Sequence, residues 1–160
     1  MTTIIALIAL FAIIGIAFAL ANRRRLTPLA NIGEGVWRGR KTFLSVGNIP
    51  QRYLLGKLGA DDTHITLCGD ADIPVGVITD EASADGSPIN VNLFGSIDET
   101  QLMVASAAIA LGDFVVPDAG GMVKPMPATT GSYNVVGRAL RATPAGELAH
   151  IDPVFHQRTI

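Results

Sequence analysis

From about Lys57 onward the chain never runs far without a turn. Asp61-Asp62, Gly69-Asp70, Asp85-Gly86, Ala119-Gly120-Gly121, Thr130-Gly131 and Ala145-Gly146 cut it into short runs of aliphatic and β-branched residues. Such runs are too short for packed helices, and turn signals at close intervals mark many short strands. The expectation is an all-β fold, a small barrel or sandwich. The expected strands are His64–Leu67, Val75–Thr79, Ile89–Leu93, Gln101–Ala105, Phe114–Pro117, Met122–Pro125, Val135–Ala142 and Leu148–Val154. One Ala-rich piece, Ser106–Leu111, is the helix candidate of this region. The 17 glycines of the chain supply the backbone freedom that so many turns need.

Two stretches of this region echo each other. Ile73–Phe94 and Tyr133–Phe155 each hold an apolar run around a glycine (Gly76, Gly137), then a glycine-bearing loop (Gly86, Gly146), then a strand ending on Phe. Alternation is regular in Ile89, Val91 and Leu93. In Leu148, Ile151 and Val154 it slips by one, the mark of a bulge. Two strand–loop–strand units packing their apolar faces together are expected.

The N-terminus is of another kind. Residues 2–21 carry no charge and are followed by Arg23-Arg24-Arg25. As a helix, this length reaches roughly 30 Å, the thickness of a bilayer core. Apolar residues such as Ile4, Leu7, Phe11, Ile14 and Phe18 occupy every face, so the segment is no amphipathic core helix. Three readings stay open. One is a membrane span, with the arginines and the body on the cytoplasmic side of an inner membrane. Another is a signal peptide with small-residue cleavage sites at Ala17-Phe18-Ala19 or Ala19-Leu20-Ala21, against which the arginines and the uncharged start both argue. The last is a hydrophobic tail buried in an assembly, or a start placed too early.

Charge divides the rest. Residues 1–58 hold eight basic side chains against one acid, Glu34, whereas residues 59–160 hold four against thirteen acids. The expected organisation is a hydrophobic helix with its arginine cluster (1–25), a basic extended arm (26–56) and a β domain (57–160). Pro28, Gly33, Gly35, Gly39, Gly47 and Pro50 break any long helix in the arm. Short strands are expected there around Thr42–Val46 and Arg52–Leu55. Trp37, Arg38, Arg40, Lys41 and Phe43 are the candidate partner-binding residues, since Trp and Arg dominate interface hot spots. Trp37 covering the edge of its own domain is the competing reading.

Catalytic and cofactor signatures are missing. Gly35–Thr42 resembles a phosphate loop but puts Arg40 where the second glycine must be, and no helix follows. His64, His150 and His156 lack a second ligand at metal-site spacing. His150 and Asp152 share a strand face and make at most a weak site. Asp80, Glu81 and Asp85 lack the calcium-loop pattern. Cys68, the one cysteine, ends an apolar strand and is expected to be buried and inert. No enzyme, metal or cofactor is expected. An acidic body without aromatics interleaved on a basic face does not suit specific nucleic-acid binding.

The strand Ile73–Val77 (IPVGV), the turn Thr79–Ala82 (TDEA), the strand Ile89–Gly95 (INVNLFG), Ala105–Asp113 (ASAAIALGD), Gly120–Pro125 (GGMVKP) and Val135–Leu140 (VVGRAL) together resemble bacteriophage capsid decoration, or cement, proteins. These are similar in kind to the lambda-type head decoration proteins, and the resemblance spans roughly residues 40–155. It implies a non-catalytic β domain on the outside of the virion that binds the major capsid protein and stabilises the shell, with a homotrimer as the implied assembly. The hydrophobic N-terminus departs from that pattern. It keeps a second expectation in play, a membrane-anchored β-domain interaction module.

Overall fold

The computed structural model describes residues 39–160. The expected hydrophobic helix, most of the expected arm, and Trp37 and Arg38 lie outside these residues.

The fold is all-β. β1 (Arg40–Ser45), β2 (Leu54–Leu58), β3 (His64–Leu67), β4 (Gly76–Ile78) and β5 (Pro88–Leu93) close into a barrel in the order β1-β3-β2-β4-β5. Its seam is the antiparallel pairing of β5 with β1, running from Arg40↔Asn92 to Leu44↔Pro88. β1 and β3 pair in parallel, and the other pairs are antiparallel. β6 (Gln101–Val104), β7 (Phe114–Pro117), β8 (Val123–Pro125), β9 (Ser132–Ala139) and β10 (Leu148–Thr159) form a second sheet in the order β6-β10-β9-β7-β8. A parallel bridge between Ala105 and Val123 joins its two ends, so this sheet curls back on itself as well.

Two apolar clusters fill the structure. Phe43, Ile49, Leu54, Ile65, Ile78, Ile89 and Val91 fill the barrel together with Val104. Leu55, Cys68 and Val77 leave the barrel wall on its other side and pack with Met103, Val115, Val136 and Ile151 of the second sheet. Adjacent residues of one strand point to opposite faces. Leu54 and Leu55 therefore serve two cores, and so do Ile78 and Val77. That is why β2 and β4 read as unbroken apolar pairs rather than as an alternation.

The expected boundary between arm and domain at 56/57 is corrected. β1 and the first part of β2 belong to the barrel. In β1 the inward positions are Lys41, Phe43 and Ser45, and Phe43 is 1% exposed. Burying such a ring contributes about 2–3 kcal/mol, more than a solvated arm can recover. The helix candidate Ser106–Leu111 is also corrected. Ile109 bridges to Thr143 there, with both backbone N–H groups satisfied at 2.9 Å, and Ala107 and Ala108 are exposed. Six residues with one apolar anchor do not sustain a helix. Among the described residues the helical piece is a single 3-10 turn, Ala119–Gly121.

The echo is visible as two antiparallel pairs, β4 with β5 and β9 with β10. A Cβ at Gly76 would lie 2.1 Å from the Asn92 carbonyl oxygen, and one at Gly137 would lie 2.4 Å from that of Asp152. Both glycines thus let the partner strand close in. The slip in the second unit is a register shift between Pro153 and His156, beyond which β10 goes on to pair Gln157–Thr159 with Ser132–Asn134.

Candidate interaction surface

The described residues of the expected arm turn inward. Arg40 Nε donates to Asn92 Oδ1 at 3.2 Å, and its guanidinium pairs with Glu99 at 3.3 Å. Asn92 Nδ2 donates in turn to Gln101 Oε1 at 2.7 Å, which ties β1 through β5 to β6. This network borders a shallow hollow of about 330 Å³ lined by Gly39, Arg40, Ser96, Ile97, Asp98 and Glu99. Lys41 is buried, donates from Nζ to the Asp62 carbonyl at 2.7 Å and lies over the Phe43 ring at 4.6 Å. Arg52 stands 3.8 Å from Glu81, and Lys57 pairs with Asp72 at 2.7 Å. Basic residues that form a block in sequence are therefore distributed over the acids of their own domain. Of the expected contact residues, Phe43 and Lys41 are interior and Arg40 is engaged within the chain.

The same chemistry fastens the two sheets together. Lys124 on β8 bonds both Asp70, in the loop after β3, and Asp118 at 3.1 Å, and Ser106 Oγ donates to Asp118 Oδ2 at 2.6 Å. The Ser106 hydroxyl, first of several donors, holds Asp118 below the usual carboxylate range. The Lys57 ammonium does the same for Asp72. The Asp70 carboxylate raises Lys124. Asn134 Nδ2 donates to the Asp72 carbonyl at 3.1 Å, and Gly121 N–H donates to the Cys68 carbonyl at 2.8 Å. Tyr53 sits at this joint with φ 65°, a left-handed backbone that a non-glycine adopts only under restraint. Its N–H donates to the Ile78 carbonyl at 2.7 Å, and its own carbonyl accepts from Val104 N–H at 3.1 Å.

The expected weak sites fall in different places. His64 bonds through Nδ1 to Asp61 at 2.8 Å, and that bond, ahead of those from Thr63, draws the Asp61 carboxyl down. His150 and Asp152 are both exposed on β10. Cys68 is buried, and burial, with the Asp72 charge behind it, pushes its thiol up to about 12. Among the described residues no group of three His, Cys, Asp or Glu side chains is placed to hold a metal ion. Nor is any helix there long and apolar enough to cross a membrane.

Two exposed features escaped the sequence reading. One is an apolar seam. Phe155 (42% exposed) stacks on Phe94, with Val154 and Ile73 exposed as well. The other surrounds Phe114. His156 meets this ring edge-on at 6.1 Å, and the Arg158 guanidinium lies 5.3 Å from its centroid. Arg138, opposite Phe114 in the β7–β9 register, donates from Nε to the Gly112 carbonyl at 3.1 Å. The available signal was that Arg138 and Arg158 are two of only four basic residues in residues 59–160. Pairing across strands far apart in sequence was needed to bring them together.

No family model matches the chain, and no curated protein sequence does. Among solved structures the fold is similar to that of the N base of head fiber gp8.5 of bacteriophage phi29. The TM-score is 0.59 at 20% sequence identity, and the match covers 72% of this chain and 92% of that one.

Proposed function

We propose that this protein is a non-catalytic structural component of a phage head, which binds the outer surface of the capsid shell and stabilises it. The observation that carries the reading is the fold likeness to a head fiber base over nearly the whole of that base. It falls in the class of virion proteins to which the decoration-like strand pattern independently points. The structure supplies what such a role asks for. It has two interlocked β units with cations distributed over acids, and exposed apolar and cationic patches on a rigid frame. A partner that binds only the assembled shell stabilises it by mass action, and several simultaneous contacts multiply that effect. The major capsid protein is the proposed partner and a trimer the proposed assembly.

Co-sedimentation separates this from the membrane-anchored module. The full chain is mixed with shells assembled from the major capsid protein encoded alongside it, and separately with lipid vesicles. Pelleting with shells and not with vesicles supports the proposal. Pelleting with vesicles alone supports the anchored module and removes the shell from the account.

A further inference from the structure

The cations of this protein divide into two groups. Among the described residues Arg40, Arg52, Lys57 and Lys124 each pair with a carboxylate of the chain. Arg138 and Arg158 do not. Arg138 donates to a backbone carbonyl, and Arg158 lies over an aromatic ring. Asp152 stands opposite Arg138 in the β9–β10 register without closing an ion pair with it. Both guanidinium groups are exposed and flank one half-buried ring, Phe114, with His156 at its edge. Beside the ring is a hollow of about 260 Å³ lined by Gly112, Asp113, Phe114, Pro125 and Met126.

This is a cationic rim around an apolar floor, on a body where acids outnumber bases thirteen to four. Guanidinium binds carboxylate through paired, planar hydrogen bonds, and stacking on an aromatic face orients it for that. A long polyanion such as nucleic acid would be repelled by the field of the acidic body. A short segment with a few carboxylates and one apolar side chain escapes most of that repulsion. It would satisfy both parts of the patch.

We propose that the face formed by Phe114, Arg138, His156 and Arg158 docks an acidic segment of a partner protein, with an apolar side chain of that segment seated against Phe114 and Met126. This deepens the reading of the protein as a shell-binding component by naming the chemistry of the contacted segment.

The test uses the full chain and a fluorescein-labelled peptide, Asp-Glu-Phe-Asp-Leu-Glu, read by fluorescence anisotropy. An oligothymidylate of about ten nucleotides serves as the competing polyanion. The peptide is expected to bind the parent chain. Its affinity should fall at least about tenfold, equivalent to 1.4 kcal/mol, in Arg138→Glu/Arg158→Glu. The neutral pair Arg138→Gln/Arg158→Gln should lose affinity in the same direction, and it serves if the charge reversal fails to fold. No binding by the folded parent overturns the proposal, as does unchanged affinity in both variants or tighter binding of the oligonucleotide. If the substitutions abolish only self-association, the occupant is a second copy of this chain and the proposal also fails. Shells that bind a chain indifferent to the peptide leave the shell reading standing and overturn this one. Peptide binding by a chain that ignores shells does the reverse.

Discussion

The rings of Phe94 and Phe155 lie 3° from parallel with their centroids 6.2 Å apart. Each is the last residue of one of the two echoed stretches. Phe94 follows β5 of the closed barrel, and Phe155 sits in the bulge of β10 in the second sheet. The stack therefore joins the two units at equivalent points. A double-mutant cycle with Phe94→Leu and Phe155→Leu is expected to show a coupling of about 0.5–1.5 kcal/mol in urea unfolding. Additive losses would mean that the rings are neighbours without interaction.

The two strand glycines make a sharper prediction. Gly76→Ala and Gly137→Ala each drive a methyl into backbone that cannot retreat without opening a strand pair. Each should cost about 1–3 kcal/mol by the usual cost of overpacking. Gly69→Ala is the control. Its new methyl would meet no backbone within 4 Å, only the Asp72 side chain, at 3.2 Å or more. Equal midpoints for all three in thermal unfolding would show that the tight approach has no energetic consequence.

Phe43 and Arg40 separate folding from binding. Phe43→Ala empties the barrel interior and should lower stability by about 3–5 kcal/mol. Arg40→Ala removes an ion pair whose two side chains are 56% and 66% exposed, and it should change stability by less than about 1 kcal/mol. Equilibrium denaturation of both variants reads the difference directly. A stable Phe43→Ala protein would return this ring to the surface role that its basic neighbours suggest.

Much of the fold was legible before any coordinates. The eight strands expected from turn spacing all recur, and the echoed glycines mark where strands close in. What was not legible has a common cause. Arg40, Lys41, Arg52 and Lys57 form a basic block only along the sequence. Their partners Glu99, Asp62, Glu81 and Asp72 come from other strands and loops. The pairing of β1 with β5 across some fifty residues turns an apparent arm into a barrel wall. The end of β10 was hidden because a bulge resets the alternation, after which neither face is buried. The Phe114 patch was missed because its four side chains come from three strands.

Acid should loosen the joint before it unfolds either core. Asp72 and Asp118 are held below the ordinary aspartate value of 3.8, by Lys57 and by Ser106 respectively. A depressed carboxyl contributes stability that is whole above its unfolded value and is lost as pH falls through its folded value. The loss therefore lies below about pH 4. Lys124, raised chiefly by Asp70, acts in the opposite sense, and its contribution fades only above the ordinary lysine value of 10.5. Urea midpoints followed from about pH 6 to pH 2 should fall, and fall less steeply in Asp72→Asn and Asp118→Asn. Slopes identical to the parent's would remove these carboxylates from the acid response.

The central claim is that the protein stabilises an assembled shell. Scanning calorimetry of shells, with and without saturating full-length chain, tests it most directly. The account predicts a shell melting transition that rises with chain concentration, as linkage requires of a partner that binds the assembled state. A transition that stays fixed while the shells are demonstrably saturated would contradict it.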